Sequence, residues 1–188
     1  ATATAPGLAA SVPTAEHVFV VDPVDGTRNF IHGSPNYAVM VGEMRRGEIV
    51  RGWIWQPELR TAWVAERGGG ATRNGEPVTT PDPDLTALVG ATTHRRLLRH
   101  HPPSVAEIGW TLYACGIDYP NLCQGVGDFL IYRNMKPWDH VPGSLILRES
   151  GGVSRTVDGE DYRALPDSPP LIVAVNEDVW QVALSCLA

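Results

Sequence analysis

Apolar positions along the chain fall in short runs separated by glycine and proline, a pattern of strands and turns with few long helices. His17–Val21 (HVFVV) is a continuous apolar run rich in β-branched residues, which predicts a strand covered on both faces. Pro23 is expected to end it, because the residue before proline is held extended and proline has no amide for a ladder. Tyr37–Met44, Ile49–Trp55 and Thr61–Glu66 then read as an antiparallel meander, turning at Arg45–Glu48 and around Pro57. Gly68–Gly70 interrupts the pattern, and Asn74-Gly75 signals a tight turn. Pro81–Pro83 reads as a linker between a first half, residues 1–80, and a second, residues 84–188.

The second half is more mixed. Leu88–Ala91, Phe129–Tyr132 and Leu171–Val175 are strand candidates, and Thr93–Gly109 is ambiguous, with His94–His101 readable as helix or loop. Trp138–Ser150 predicts a helix stopped by Gly151-Gly152. Asn176 is placed to cap a last helix, Glu177–Leu187, with Val179, Val182, Ala183 and Cys186 on its apolar side. Strands followed by mixed elements predict a layered α/β or α+β fold.

With 188 residues the chain makes one domain, or little more. Its net charge of 15 − 21 = −6 argues against broad nucleic-acid binding, which needs a basic face. No apolar run reaches the length of a membrane span, and residues 1–15 lack the basic start of a signal peptide, so no membrane association is expected. Cys115, Cys123 and Cys186 form no metal-type pair and predict inert thiols in a reducing compartment, the cytoplasm.

The chemistry concentrates in Asp22-Pro23-Val24-Asp25-Gly26-Thr27, directly after the first strand. Hard cations such as Mg²⁺ take oxygen ligands, and a proline-braced loop can aim two carboxylates and the Val24 carbonyl at one point. Gly26 lets the backbone come close to a ligand. Amides at Gly26 and Thr27 would face an anion if a helix opens there. The alternative is an ordinary Asp-Gly turn in which Asp22 only satisfies loop amides. Asp139, after Trp138, is either a third carboxylate or a simple helix cap. His94, His100 and His101 read as solvated loop, and His140 as a packing residue or a neighbour of the site. Trp53, Trp55 and Trp63 read as core and interface.

DPVDGT, GGGATRNG, KPWDHVPG and ESGGV closely resemble the inositol monophosphatase family, the Mg²⁺-dependent, lithium-sensitive phosphatases. The resemblance runs from about Val18 to about Val175, and its two most specific motifs place Asp139 a full 139 − 25 = 114 residues after Asp25. It implies an α-β-α-β-α sandwich, a homodimer, and hydrolysis of a small phosphorylated metabolite with two or three Mg²⁺ ions, or Mn²⁺. It implies that Asp22, the Val24 carbonyl, Asp25 and Asp139 bind metal. Gly26 and Thr27 would hold the phosphate with Asp139, while Asp25 and Thr27 serve catalysis. It leaves open a histidinol-phosphate or 3′-phosphoadenosine-phosphate phosphatase, or a non-catalytic binding partner.

The chain departs from the family at three places. The Gly-Glu-Glu segment and helices that precede DPxDGT in relatives have no counterpart, so the chain is expected to be part of a longer protein. Relatives acting on inositol phosphate often carry a glutamate where this chain has Tyr132, followed by Arg133 and Asn134. His140-Val141-Pro142-Gly143 stands where relatives place small residues before the glycine.

Overall fold

The computed structural model describes residues 12, 14–99, 101–133, 135–165 and 168–187. Residues 1–11, His100 and Asn134 are among those that lie outside them. The first sheet is a six-stranded antiparallel meander in the order β1-β2-β3-β4-β5-β6: His17–Asp25, Ala38–Arg45, Glu48–Gln56, Thr61–Glu66, Gly70–Arg73 and Glu76–Val78. The second sheet has five strands in the order β10-β11-β9-β7-β8: Val153–Thr156, Leu171–Ala174, Phe129–Tyr132, Leu88–Thr92 and Val105–Trp110. β7 pairs parallel with β8 and β9, whereas β11 pairs antiparallel with β9 and β10.

Helices α2 (Cys115–Cys123) and α3 (Pro137–Glu149) pack on each other, and α3 lies across β1 to β5 and against β10. Helix α4 (Glu177–Ser185) packs on β9 and β11, whose residues are buried at every position. Helix α1 (Thr27–Ile31) is a single turn. The result is a layered α+β fold. The described helices supply two of the three helical layers that the resemblance implies.

Close contact between α3 and the first sheet depends on small residues. A Cβ on Gly52 would lie 2.7 Å from the Pro142 carbonyl oxygen, so only glycine lets the helix settle there. The tight turn at Asn74-Gly75 forms as expected, with φ of 51° and 88°, and joins β5 to β6. The two glycine motifs meet across the molecule. The Glu149 carboxylate accepts from the amides of Gly68 and Gly70, each at 3.0 Å, and ties the β4–β5 turn to the end of α3.

The first strand differs from its expectation twice. β1 runs through Pro23 to Asp25, because it is an edge strand and its proline need donate to no neighbour. It is also open on one side: Val20 is buried, whereas Phe19 and Val21 are 52% and 47% exposed. Their face of the sheet continues through Trp55 and Val64, which are also exposed, so Trp55 is not core whereas Trp63 is.

Three further elements depart from the reading. Thr93–Gly109 resolves into a 3₁₀ turn, Arg95–Leu98, and strand β8. Helix α2 has no expected counterpart, since Gly116 and Pro120 lie within it and mask its periodicity. α4 stops at Ser185 with Cys186 as its cap, and Asn176 caps its start by accepting from the Val179 amide at 3.0 Å.

Candidate metal and phosphate site

The DPVDGT segment leaves the ladder gradually. Pairing of β1 with β2 slips between Asp22 and Asp25, and this bulge turns both carboxylates toward one side. Asp22 Oδ1 accepts from the Val24 amide at 3.0 Å, the bond expected of an ordinary turn. Thr27 Oγ1 donates to the Val24 carbonyl at 2.8 Å. Gly26 has φ +76°, and a Cβ there would meet Ala114 Cβ and the Asn36 carbonyl, each at 2.8 Å. Only glycine satisfies both the left-handed turn and this contact.

Asp139 is the third residue of α3, where the helix dipole favours a carboxylate. The helix brings it to the loop: one carboxylate oxygen from each of Asp22, Asp25 and Asp139 lies within 4.8 Å of the others. Asp25 is buried at the end of β1 and accepts from the Gly116 amide at 2.7 Å. Gly116 belongs to the first turn of α2, so the start of a helix from the second half supports the loop of the first.

Three carboxylates crowded out of water resist ionisation. Burial raises Asp25 to about 8, with Asp139 and Asp22 adding repulsion against the amides of Gly116 and Cys115. Burial raises Asp139 to about 7, helped by the charge of Asp22 and by a hydrogen bond that Asp139 gives to Asp22. Asp22 is raised by burial, which outweighs its bond from Val24. A cluster that holds protons for want of countercharge is one that a divalent cation would relieve. The donor set, all hard oxygen, fits Mg²⁺ or Mn²⁺.

The other sequence candidates separate clearly. His140 is buried, its Nδ1 within 3.0 Å of Tyr119 Oη, and its ring meets those of Tyr119, Tyr132 and Tyr162 edge-on. Tyr132 is also buried and donates to Asp118 Oδ2 at 3.2 Å, so its hydroxyl is committed inside the protein. His32 is exposed and bonds the Arg28 carbonyl. His94 stands on the approach to the 3₁₀ turn, held below its ordinary value by partial burial and by Arg133 and Arg96. Cys115 and Cys123 are free thiols raised by burial, as expected of inert cysteines, although Cys115 adjoins the acidic cluster. The Gly116 amide was not legible in the sequence. Its signal, a helix start, is obscured by the glycine itself and by Pro120.

The model of the inositol monophosphatase family matches residues 3–185. The chain belongs to this family. It is 34% identical over 155 residues to the inositol-1-monophosphatase of Rhizobium meliloti (strain 1021), an alignment covering 76% of this chain and 58% of that protein. The inositol-1-monophosphatase of Mesorhizobium japonicum is 31% identical over 183 residues, covering 92% and 68%. Among solved structures, the extragenic suppressor protein suhB of Bartonella henselae superposes with a TM-score of 0.79 at 31% identity, covering 92% of this chain and 73% of that one. The Thermotoga maritima IMPase superposes with a TM-score of 0.80 at 25% identity, covering 92% and 70%. The chain thus spans somewhat under two thirds of the first of these relatives.

Proposed function

We propose that this member of the inositol monophosphatase family hydrolyses a small phosphate monoester to alcohol and phosphate, with Mg²⁺ as cofactor. The observation that carries the reading is the meeting of Asp22, Asp25 and Asp139 within 4.8 Å beside the Gly26-Thr27 turn. Asp22, Asp25, Asp139 and the Val24 carbonyl would hold the metal, as two or three Mg²⁺ ions or Mn²⁺. When bound, such ions activate water and neutralise charge on the phosphoryl and leaving oxygens.

The chain's own residues do the rest. Thr27 Oγ1 donates its hydrogen bond to the Val24 carbonyl, so its lone pairs are left to accept a hydrogen bond from the attacking water. The amides of Gly26 and Thr27, at the head of α1, hold the phosphate in line with that water. Asp25 and Asp139 border the phosphate, and Gly116 keeps Asp25 aimed. Water adds to phosphorus, the ester P–O bond breaks, and the leaving oxygen takes up a proton as the alcohol departs.

The free cysteines support a reducing, cytoplasmic setting, and no helix among the described residues is long and apolar enough to cross a membrane. The family resemblance supports a homodimer. Purified full-length protein incubated with a panel of phosphate monoesters tests the reading. Phosphate release should appear with Mg²⁺ and vanish with chelator. Release that chelator leaves untouched, or none from any ester, would overturn it.

A further inference from the structure

Helix α1 is too short to hold itself. Its five residues make a single turn, none of them is buried, and no side chain caps its start. One turn fixes several backbone dihedrals for very few hydrogen bonds, so it persists only where other contacts fix it. Yet the Gly26-Thr27 turn must keep one direction if its amides are to hold a phosphate.

Among the described residues, Asn29 is the side chain of α1 that hydrogen-bonds beyond this loop. Its Nδ2 donates to the Asn36 carbonyl at 2.7 Å and to the Leu112 carbonyl at 2.8 Å, which uses both hydrogens of the carboxamide. Its own backbone carbonyl accepts from the Ser34 amide at 2.9 Å. The contact of Phe30 with Tyr37, by contrast, stays within the connection from β1 to β2. Both acceptors of the carboxamide belong to segments that border Gly26. The Asn36 carbonyl is one of the two groups that a Cβ on Gly26 would meet at 2.8 Å, and Ala114, two residues after Leu112, is the other.

Leu112 lies in the bridge Thr111–Ala114 between β8 and α2, and its amide donates to Asp118 at 2.9 Å. The bridge is therefore pinned from both sides. Tyr113 within it has φ +57°, a state that its surroundings must enforce on a residue of this size. Asn29 thus fastens a single turn of the first half of the chain to a constrained segment of the second.

We infer that Asn29 is a positioning residue for phosphate binding: by joining α1 to the Asn36 and Leu112 carbonyls, its carboxamide keeps the Gly26-Thr27 amides aimed at the phosphate. The inference rests on the phosphatase reading of this turn and deepens it. The acidic cluster has separate supports, since Asp22 is bonded by the Val24 amide, Asp25 by the Gly116 amide, and Asp139 stands on α3. Loss of the carboxamide therefore acts on phosphate and spares the metal. A hydrogen bond to a charged oxygen is worth on the order of tenfold in affinity, and only while its donor is aligned.

Two calorimetric titrations of the full-length protein test this: Mg²⁺ alone, and inorganic phosphate in saturating Mg²⁺. Asn29→Ala should weaken phosphate about tenfold and leave Mg²⁺ affinity within about twofold of wild type. Asn29→Ser, which keeps one donor, should fall between the two for phosphate. Should Asn29→Ala fail to fold, Asn29→Ser decides by the same pair of titrations. Equal phosphate affinity in the variant would overturn the inference. So would a parallel loss of Mg²⁺ affinity, which is the mark of a merely structural role. Wild-type protein that binds no phosphate in Mg²⁺ would overturn the phosphatase reading, and the role of Asn29 with it.

Discussion

The amide of Gly116 donates to Oδ2 of Asp25 at 2.7 Å across 91 positions of sequence. This single bond joins the loop of the first sheet to the helix that follows the second. It also fixes the orientation of the most buried of the three clustered carboxylates. Asp25→Asn keeps an oxygen for the Gly116 amide but removes the charge. The variant should fold, melt higher than wild type in chelator, and lose phosphate release by at least about a hundredfold. Thermal melts in chelator and an activity assay check it together.

The pH behaviour of the metal-free protein follows from the same cluster. Asp25 and Asp139 are raised to about 8 and about 7 from an ordinary 3.8, so the folded chain binds more protons than the unfolded one in that range. Stability from these groups is full below pH 3.8 and is lost as pH rises through 7 to 8. Melting temperature in chelator should fall between pH 5 and pH 9, roughly across that window. Saturating Mg²⁺ should flatten the profile. A melting temperature that rises over the same interval would contradict it.

Metal binding should release protons. At neutral pH part of the cluster is protonated, and a cation must displace what it holds. Calorimetry in buffers of different ionisation enthalpy should show release near pH 7 that shrinks toward pH 9, and apparent Mg²⁺ affinity should rise over the same range.

Gly26→Ala should be costly. The new Cβ would be driven against Ala114 and Asn36 while the backbone holds φ +76°, which predicts a loss of about 1–3 kcal/mol and a distorted phosphate turn. Denaturant unfolding measures the first effect, and phosphate release the second.

Glu149→Ala separates structure from chemistry. It removes the acceptor for two glycine amides at 3.0 Å, at the opposite end of α3 from Asp139. Stability should drop by about 1–3 kcal/mol while KM for a phosphate ester stays the same. A changed KM would give the glycine motif a part in substrate binding.

Much of this molecule was legible because it is decided locally. Thr61–Glu66 and Phe129–Tyr132 are strands over the very residues expected, since short apolar runs bounded by turn formers carry their own ends. Asn74-Gly75 turns as it should because both residues tolerate positive φ. DPVDGT and WD were recognisable for a similar reason: proline, glycine and paired carboxylates at fixed spacing are rare without a shared purpose. Tertiary structure decided what depends on neighbours distant in sequence. The apolar run of β1 is no different as a string whether it lies at an edge or in the centre. Only its place beside β2 leaves Phe19 and Val21 open and lets Pro23 remain in the strand. Helix α2 forms against Gly116 and Pro120 because packing on α3 outweighs weak local propensity. Tyr113 reads as an ordinary loop residue until the anchors at Leu112 and Ala114 force its backbone left-handed. The weakened acidity of Asp25 and Asp139 exists only where the fold brings the carboxylates together and shuts out water, since in the extended chain each would be solvated alone.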